Sequence, residues 1–441
     1  MKKADFKSAL RAHVKAQLSP DEQDRKFVSS VYEATQKVLG DANCVQIGSY
    51  ARFTSIKPLH DLDVLYILGE MPPTIPNPSN LLTQLQRQLS DKFENPTNYV
   101  VKFAKQTHSV TLSFLDDGNE VFAVDIVPAY IRGKNEYRQD KYVVPELLAK
   151  SRSDRRKLYE GISKGEQKMT WIPTDPRGYI KVASDLNSQN DDFRRAVKFA
   201  KGWRGACKTQ DDRFPLKSFH LEQLMTRCFR QHPTFDIFDA LFEVFCDLPK
   251  ALQCAQIPDR ADPAKMIDSY VNGLGAEEKR IVLESRDYLL IALEELANSG
   301  SMSRLLTGDR RQRADSSESY LFDQRIPTLT EQILKIEGRV LGRVGGFRAR
   351  LLDALGLIEV DRKIEFRTQA VSFQVDHYKW KVKNDDGSSQ PRGEITDHKT
   401  RNDPEHTKFR GDHYVECYAI RDGVCIAKAR QPVVLKNWGD R

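Results

Sequence analysis

Residues 61–68, DLDVLYIL, place two aspartates at the head of an apolar run. The run Val64–Leu68 reads as a strand entering a core. Charge at such a place is costly unless it is paired or holds a metal. Asp61 and Asp63 stand two residues apart, so on a strand both carboxylates point to the same face. A second apolar run, FAVDIVPA, carries Asp125 in its middle. The chain must bury both strands and still find something for their acids to do.

The neighbouring segments follow simple rules. Ser19-Pro20-Asp21-Glu22 predicts a helix start, with a cap, a proline in the first turn and then acids. The helix should run to Leu39 and end at Gly40. CVQIG (44–48) predicts a short strand, and Gly48-Ser49 a turn into a short helix. MPPTIPNPS (71–79) is proline-rich and predicts a loop. Asn80–Phe93 has helical periodicity through Leu81, Leu82, Leu85 and Leu89. SVTLSFL and EVFAVDIVPAY flank Asp116-Asp117-Gly118-Asn119, a hairpin signature.

From about residue 140 the texture turns helical. Helices are predicted over Asn190–Arg204, 218–229, Asp236–Cys246 and Arg280–Ser299. The polar, basic stretch 299–319 reads as the end of the helical region, and 328–356 as further helix. From about 365 the period changes to two. KWKVKN, RGEI, HYVECYAI and VCIAKA read as short strands, separated by Asp386-Gly387 and Asp422-Gly423 turns.

Composition narrows the function classes. Over 441 residues, 39% are apolar and 30% charged, as expected of a soluble globular protein of two or three domains. Apolar runs such as Tyr288–Leu293 fall far short of the roughly 20 residues that span a membrane. The start MKKADFKSALRAHVK has no apolar core and is not a signal peptide. No membrane association and a cytoplasmic location are expected. Seven cysteines without a CxxC predict reduced, buried thiols. Cys246 and Cys254, with His220 and Cys228 nearby, match no zinc spacing. A net charge of +7 favours an anionic partner such as a nucleotide or nucleic acid.

Together, Asp61, Asp63 and Asp125 can hold two divalent cations, which activate an attacking hydroxyl and stabilise a leaving oxygen. Two Mg2+ ions suit such oxygen ligands plus substrate phosphates, with Mn2+ as the alternative. Asp125 would act as metal ligand or as general base. Gly48 and Ser49, between a strand and a helix, offer backbone N–H groups and a hydroxyl to a phosphate. The set reads as a nucleotidyl-transfer site taking nucleoside triphosphates.

The order GS, DLDV, VDIVPA resembles the DNA polymerase β-like nucleotidyltransferase superfamily. Its continuation resembles the cGAS/DncV-like enzymes and oligoadenylate synthetases over about residues 20 to 310. TDPRGYI (174–180), RRAVKFAKGW (194–203) and KSFHLEQL (217–224) support the match. The resemblance implies that Lys201 contacts the triphosphate and that Ser218 is a further nucleotide contact. The bland readings are a solvated helix residue for Lys201 and a helix cap for Ser218. Arg52 and Lys57 are solvated or touch the triphosphate. His60 reads as a surface residue or one behind the metal ligands, and Tyr50 as packing.

Residues 378–435 resemble the adenylyl/guanylyl and SMODS C-terminal sensor domain, through W-x-V-x-N, RG-x-I and G-x-HYVECY. Arg392, Arg410, His413, Trp380 and Tyr414 would bind phosphates and stack bases there, or the two aromatics are core. The resemblance implies an α+β fold: a polymerase β-like nucleotidyltransferase core over 1–150, a helical lobe over 151–325, and a helical linker with a small all-β sensor domain over 326–441.

The function it implies is a bacterial antiphage nucleotidyltransferase. Such an enzyme makes a cyclic or linear oligonucleotide messenger from NTPs, releases pyrophosphate, and switches on a separately encoded effector. The alternatives are a template-independent polymerase or RNA/DNA-tailing enzyme with a longer oligonucleotide product, and a non-catalytic nucleotide-sensing module.

Overall fold

Asp21, rather than Ser19, opens the first long helix. A computed structural model describes residues 3–147, 169–299, 302–341, 350–398 and 403–435. In it α1 (Lys3–His13) runs into a π-helical turn, Val14–Leu18, and is followed by α2 (Glu22–Leu39). Asp21 and Asp24 form a reciprocal capping box, each side chain accepting from the other's backbone N–H. Ser19 instead accepts a hydrogen bond from Lys198 at 3.1 Å. The helix therefore starts two residues later than expected.

Next come β1 (Cys44–Ile47), the one-turn α3 (Gly48–Ala51), β2 (Asp61–Glu70) and α4 (Pro78–Lys92). Three further strands, β3 (Val100–Lys105), β4 (Val110–Asp116) and β5 (Asn119–Lys134), complete a sheet in the order β1-β2-β5-β4-β3. The pair β2–β5 is parallel. Asp117 and Gly118 both take positive φ, 46° and 84°, in the tight β4–β5 turn. Leu62, Val64, Val124 and Ile126 pack one face against Val28, Val31, Leu82 and Leu85 of α2 and α4. Strand alternation then sends Asp61, Asp63 and Asp125 to the other face.

The helical texture begins later than residue 140. Asp140–Leu147 (β6) and Met169–Thr174 (β7) are strands, β6 pairing with both β5 and β7. The apolar run YVVP is short enough to serve either element, and the free edge of the long β5 decides it. The helices are α5 (Pro176–Gln189), α6 (Asp192–Gln210), α7 (Ser218–Gln231), α8 (Ile237–Ala251) and α9 (Ala276–Ser299). They share a core with α1 in which Trp203 meets Phe245 edge to face at 4.7 Å.

The stretch 328–356 is not a helix. It holds β8 (Ile336–Val340), the two-residue β9 (Arg350–Leu351) and the one-turn α10 (Leu352–Leu355), with 342–349 outside the described residues. Ile336, Gly338 and Val340 are buried at period two, and β11 (Lys363–Thr368) pairs along them. The β region thus begins about thirty residues before the expected 365. Its second sheet joins β10 (Leu357–Ile358), β12 (His377–Lys383), β13 (Ile395–Thr396), β15 (Gly411–Arg421) and β16 (Val424–Leu435). β14 (Glu405–His406) pairs with β11.

Cys44, Cys207, Cys228, Cys417 and Cys425 are buried free thiols, Cys246 is half-buried, and Cys254 is exposed. Among the described residues, no helix is long and apolar enough to cross a membrane.

Candidate active site

Across the sheet, Ile47, Asp63, Asp125 and Thr111 lie in one register row on β1, β2, β5 and β4. Asp63 and Asp125 are direct neighbours on parallel strands, so their side chains share a face. Asp61 is two residues up the same strand and exposed, and the other two are half-buried. Thr111 donates a short hydrogen bond to Asp125 Oδ1, and Ser109 donates to the same atom at 3.3 Å. These bonds fix the Asp125 carboxylate through one of its oxygens.

Gly48 explains how Asp63 fits. Its φ is +69°, a conformation L side chains rarely adopt. A Cβ there would fall 1.7 Å from Asp63 Oδ2. The turn backbone and the carboxylate are therefore in direct contact. Ile47, at the cap position of α3, gives no side-chain cap bond, so the first N–H groups of the turn are not capped. Among the described residues, the hydroxyls of Ser49 and Ser218 have no hydrogen-bond partner. Ser218 is the first residue of α7, and the cap position belongs to Lys217.

The electrostatics are unbalanced on this face. Burial, then Asp61 and Asp125, push the Asp63 carboxyl up to about 7. Arg52 and Lys201 pull it back without bonding to it. Both cations are engaged elsewhere. Arg52 Nε donates to Glu222 Oε1 at 2.5 Å, and Lys201 Nζ lies 2.6 Å from Glu222 Oε2. Thr54 joins them, donating to Glu222 at 3.0 Å and accepting from Lys201 at 3.0 Å. Burial alone would raise Glu222, but the two cations outweigh it and hold the carboxyl at about 2. The Arg52 guanidinium also sits 5.1 Å from the Phe219 ring.

Lys201 is therefore no solvated helix residue. It is a buried member of a knot that ties the 52–54 turn of the sheet region to α6 and α7. Glu222 was missed as a functional residue by sequence reasoning. Its signal was present in KSFHLEQL: it is the one acid among Leu221, Leu224 and Met225 on the buried face of α7. Lys57 pairs with Asp21 at 2.5 Å and Asp24 at 3.6 Å, at the start of α2. His60 is exposed, and Tyr50 packs against the α2/α4 core.

The other quoted stretches are scaffold. Asp175 of TDPRGYI caps α5 through Gly178 N at 2.9 Å and accepts from Asn135 at 2.9 Å. His220 meets the Tyr270 hydroxyl at 2.9 Å, and burial pulls its imidazole down to about 4. It is a neutral packing group.

Among the described residues, no group of three or more His, Cys, Asp or Glu side chains is placed so as to hold a metal ion. The donor set nevertheless fits divalent cations. Three carboxylates share one face of the sheet, a hard-oxygen donor set, and burial with the two neighbouring acids raises the Asp63 carboxyl to about 7.

Comparison with known proteins adds the following. The family model "Adenylyl/Guanylyl and SMODS C-terminal sensor domain" matches residues 313–436. The cyclic AMP-AMP-AMP synthase of Escherichia coli (strain MS 115-1) is 29% identical over 199 residues, 45% of this chain. The chain spans about half, 53%, of that curated relative's length. Among solved structures, E. coli MS115-1 CdnC with ATP is 17% identical, with a TM-score of 0.49 over 69% of this chain and 98% of its own. The Rhodothermus marinus CdnE c-UMP-AMP synthase with Apcpp and Upnpp is 14% identical, with a TM-score of 0.43 over 66% and 97%.

Proposed function

We propose that this cGAS/DncV-like chain, with its C-terminal sensor domain, is a nucleotidyltransferase that joins nucleoside triphosphates into an oligonucleotide messenger and releases pyrophosphate. One observation carries the reading. Asp63 and Asp125 stand side by side on parallel strands, Asp61 shares their face, and no described cation is bonded to any of them. The relative's name supports the product class, a cyclic oligonucleotide.

Asp61, Asp63 and Asp125 would hold two divalent cations, Mg2+ or Mn2+. When bound, the ions supply charge neutralisation at the transferred phosphoryl group and activation of the attacking hydroxyl. The chain's own groups do the rest. Thr111 and Ser109 hold the Asp125 carboxylate in place. Gly48 keeps the turn backbone against Asp63, and the uncapped N–H groups with the Ser49 hydroxyl offer donors to phosphate. Ser218, on the facing helix, offers another. The Arg52–Glu222–Lys201 knot sets the distance between the sheet and the helices, so orientation is fixed before substrate enters. In this reading Lys201 acts on the triphosphate through its charge and through that positioning. In this reading the sheet with α2 and α4 is the catalytic core and reaches Thr174, past the expected boundary at 150, the helices that follow, with α1, are the helical lobe, and 326–441 carries the sensor domain. The messenger would activate a separately encoded antiphage effector.

The test is to incubate purified full chain with each labelled NTP and dNTP plus Mg2+ or Mn2+ and resolve the products. A short, phosphatase-resistant product is expected. A phosphatase-sensitive ladder would support the tailing alternative, and product formation by an Asp61→Ala/Asp63→Ala variant would overturn the site.

A further inference from the structure

A hollow of about 380 Å³ lies where α1, the π-helical turn, the end of α5, the start of α6 and the 52–54 turn meet. Its volume is within the range of small-molecule sites. Arg11 of α1, Lys15 of the π-helical turn, and Arg194, Arg195 and Lys198 of α6 line it. None of Gly48, Ser49, Asp61, Asp63, Asp125 and Ser218 does, so the hollow is separate from the aspartate face. In RRAVKFAKGW, Arg194, Lys198 and Lys201 follow at helical spacing on one side of α6. Glu222 claims Lys201, and no acid claims the other two.

The charges in the hollow do not balance. Asp192 answers for Arg11, at 2.8 and 2.6 Å, and for Arg195, at 3.1 Å. Asp191 is the one acid among the described lining residues, and it is exposed. Five cations therefore face two acids. Among the described residues, Lys15 has no partner, and Lys198 has only the Ser19 hydroxyl at 3.1 Å. Arg194 gives its Nε to the Arg52 carbonyl at 3.1 Å and its terminal nitrogens to no described acceptor. Burial, then Arg25, Arg194, Lys201 and Arg195, pull the Lys198 ammonium down to about 8. This is the imbalance of Asp63 with the sign reversed: a half-buried cation among cations, lacking an anion. The rim carries Phe53, 62% exposed at a φ of +59°, with the Arg194 guanidinium 4.7 Å from its ring. Such a backbone conformation is uncommon for a bulky residue and sits at a place where the chain has no core to fill.

We propose that this hollow binds a small multivalent phosphate anion of the diphosphate class, and that the occupant braces the 52–54 turn through Arg194. Lys15 and Lys198 supply point charges from two sides, and Arg194 supplies the free end of its guanidinium. Because Arg194 also holds the Arg52 carbonyl, an anion that fixes Arg194 fixes the backbone from which Arg52 reaches Glu222. A long polyanion suits the hollow less. Its cations converge on one point instead of spacing along a face, and Asp191 on its lining, with Asp21 and Asp24 just beyond Ser19 in the chain, repels a phosphate backbone passing over it. Diphosphate is also what the proposed reaction releases. That link alone rests on the nucleotidyl-transfer reading, and binding is measured without it.

The test titrates the full chain by calorimetry with inorganic diphosphate, inorganic phosphate and a short DNA duplex, at low salt and in EDTA so that the aspartates hold no metal. The wild type should bind diphosphate about tenfold more tightly than phosphate. Lys198→Gln should weaken diphosphate about tenfold or more, and Lys15→Gln, at an exposed position that folding does not depend on, about fivefold. Asp63→Asn should leave this affinity unchanged. Bound diphosphate should slow hydrogen exchange at 52–54. No binding by the wild type, wild-type affinity in both lysine variants, or an affinity that answers to Asp63→Asn instead overturns the site, and NTP turnover by the same preparation would then leave the nucleotidyl-transfer reading standing. A duplex that binds where diphosphate does not assigns these cations to nucleic acid and overturns the small-anion proposal. Binding with unchanged exchange at 52–54 overturns the bracing.

Discussion

Glu222 and Asp63 are both carboxylates drawn out of water within reach of Arg52 and Lys201, yet the first is held at about 2 and the second is pushed up to about 7. The difference is contact. Glu222 has both cations and Thr54 bonded to it. Asp63 has two other acids beside it and only distant cations. A buried acid with its partners in place fixes structure, and removing one partner is destabilising. A buried acid without them raises the free energy of the folded chain unless something else binds there. The two sit on facing elements, so the knot holds the sheet against the helices, and in the proposed reading the aspartates are left to an incoming cation.

The comparison can be broken by exchanging charge on either side. Asp63→Asn should lower nucleotide incorporation about a thousandfold or more, measured by pyrophosphate release. It should leave the melting temperature unchanged or raised, because it removes like-charge repulsion. Glu222→Ala should do the reverse in kind. It leaves Arg52 and Lys201 buried and unpaired, and should cost about 3–5 kcal/mol in urea unfolding. If Glu222→Ala unfolded like the wild type, the knot would not be structural.

Smaller changes sharpen the contrast. Gly48→Ala puts a Cβ onto Asp63 Oδ2 and an L side chain at positive φ. Displacing the carboxylate should cost about a hundredfold in kcat, and the strained backbone about 1–3 kcal/mol in stability. Ser218→Ala should have the least effect. Loss of one hydrogen bond to substrate raises KM about fivefold with kcat near the wild-type value. A fall in kcat alone would mean that Ser218 acts on the transition state instead of on binding.

Much of the aspartate face was readable from local pattern. DLDV and VDIV each declare a strand, its buried side and its acids within eight residues, and Gly48 declares a turn. The counter-charges were not readable, because Arg52 and Glu222 are 170 residues apart and meet only through the packing of α7 on the 52–54 turn. Lys201 showed its helix but not its partner. The same holds for β6, β7 and β8. Their short apolar runs suit either helix or strand, and the pairing partner, 24 to 32 residues from β8 along the chain in the case of β11, makes the choice. In the C-terminal region, period two identified the strands. Period two does not say which face of β12 packs toward β11 and which rests on 318–325; the structure puts Trp380 on the first and Lys381 on the second.

The most direct measurement is Mn2+ binding by electron paramagnetic resonance in the presence of a non-hydrolysable NTP, for wild type, Asp63→Asn, Asp125→Asn and Glu222→Gln. The account predicts that both aspartate substitutions abolish the bound Mn2+ signal while Glu222→Gln retains it. Bound Mn2+ persisting in both aspartate variants, or vanishing only with Glu222→Gln, would contradict it.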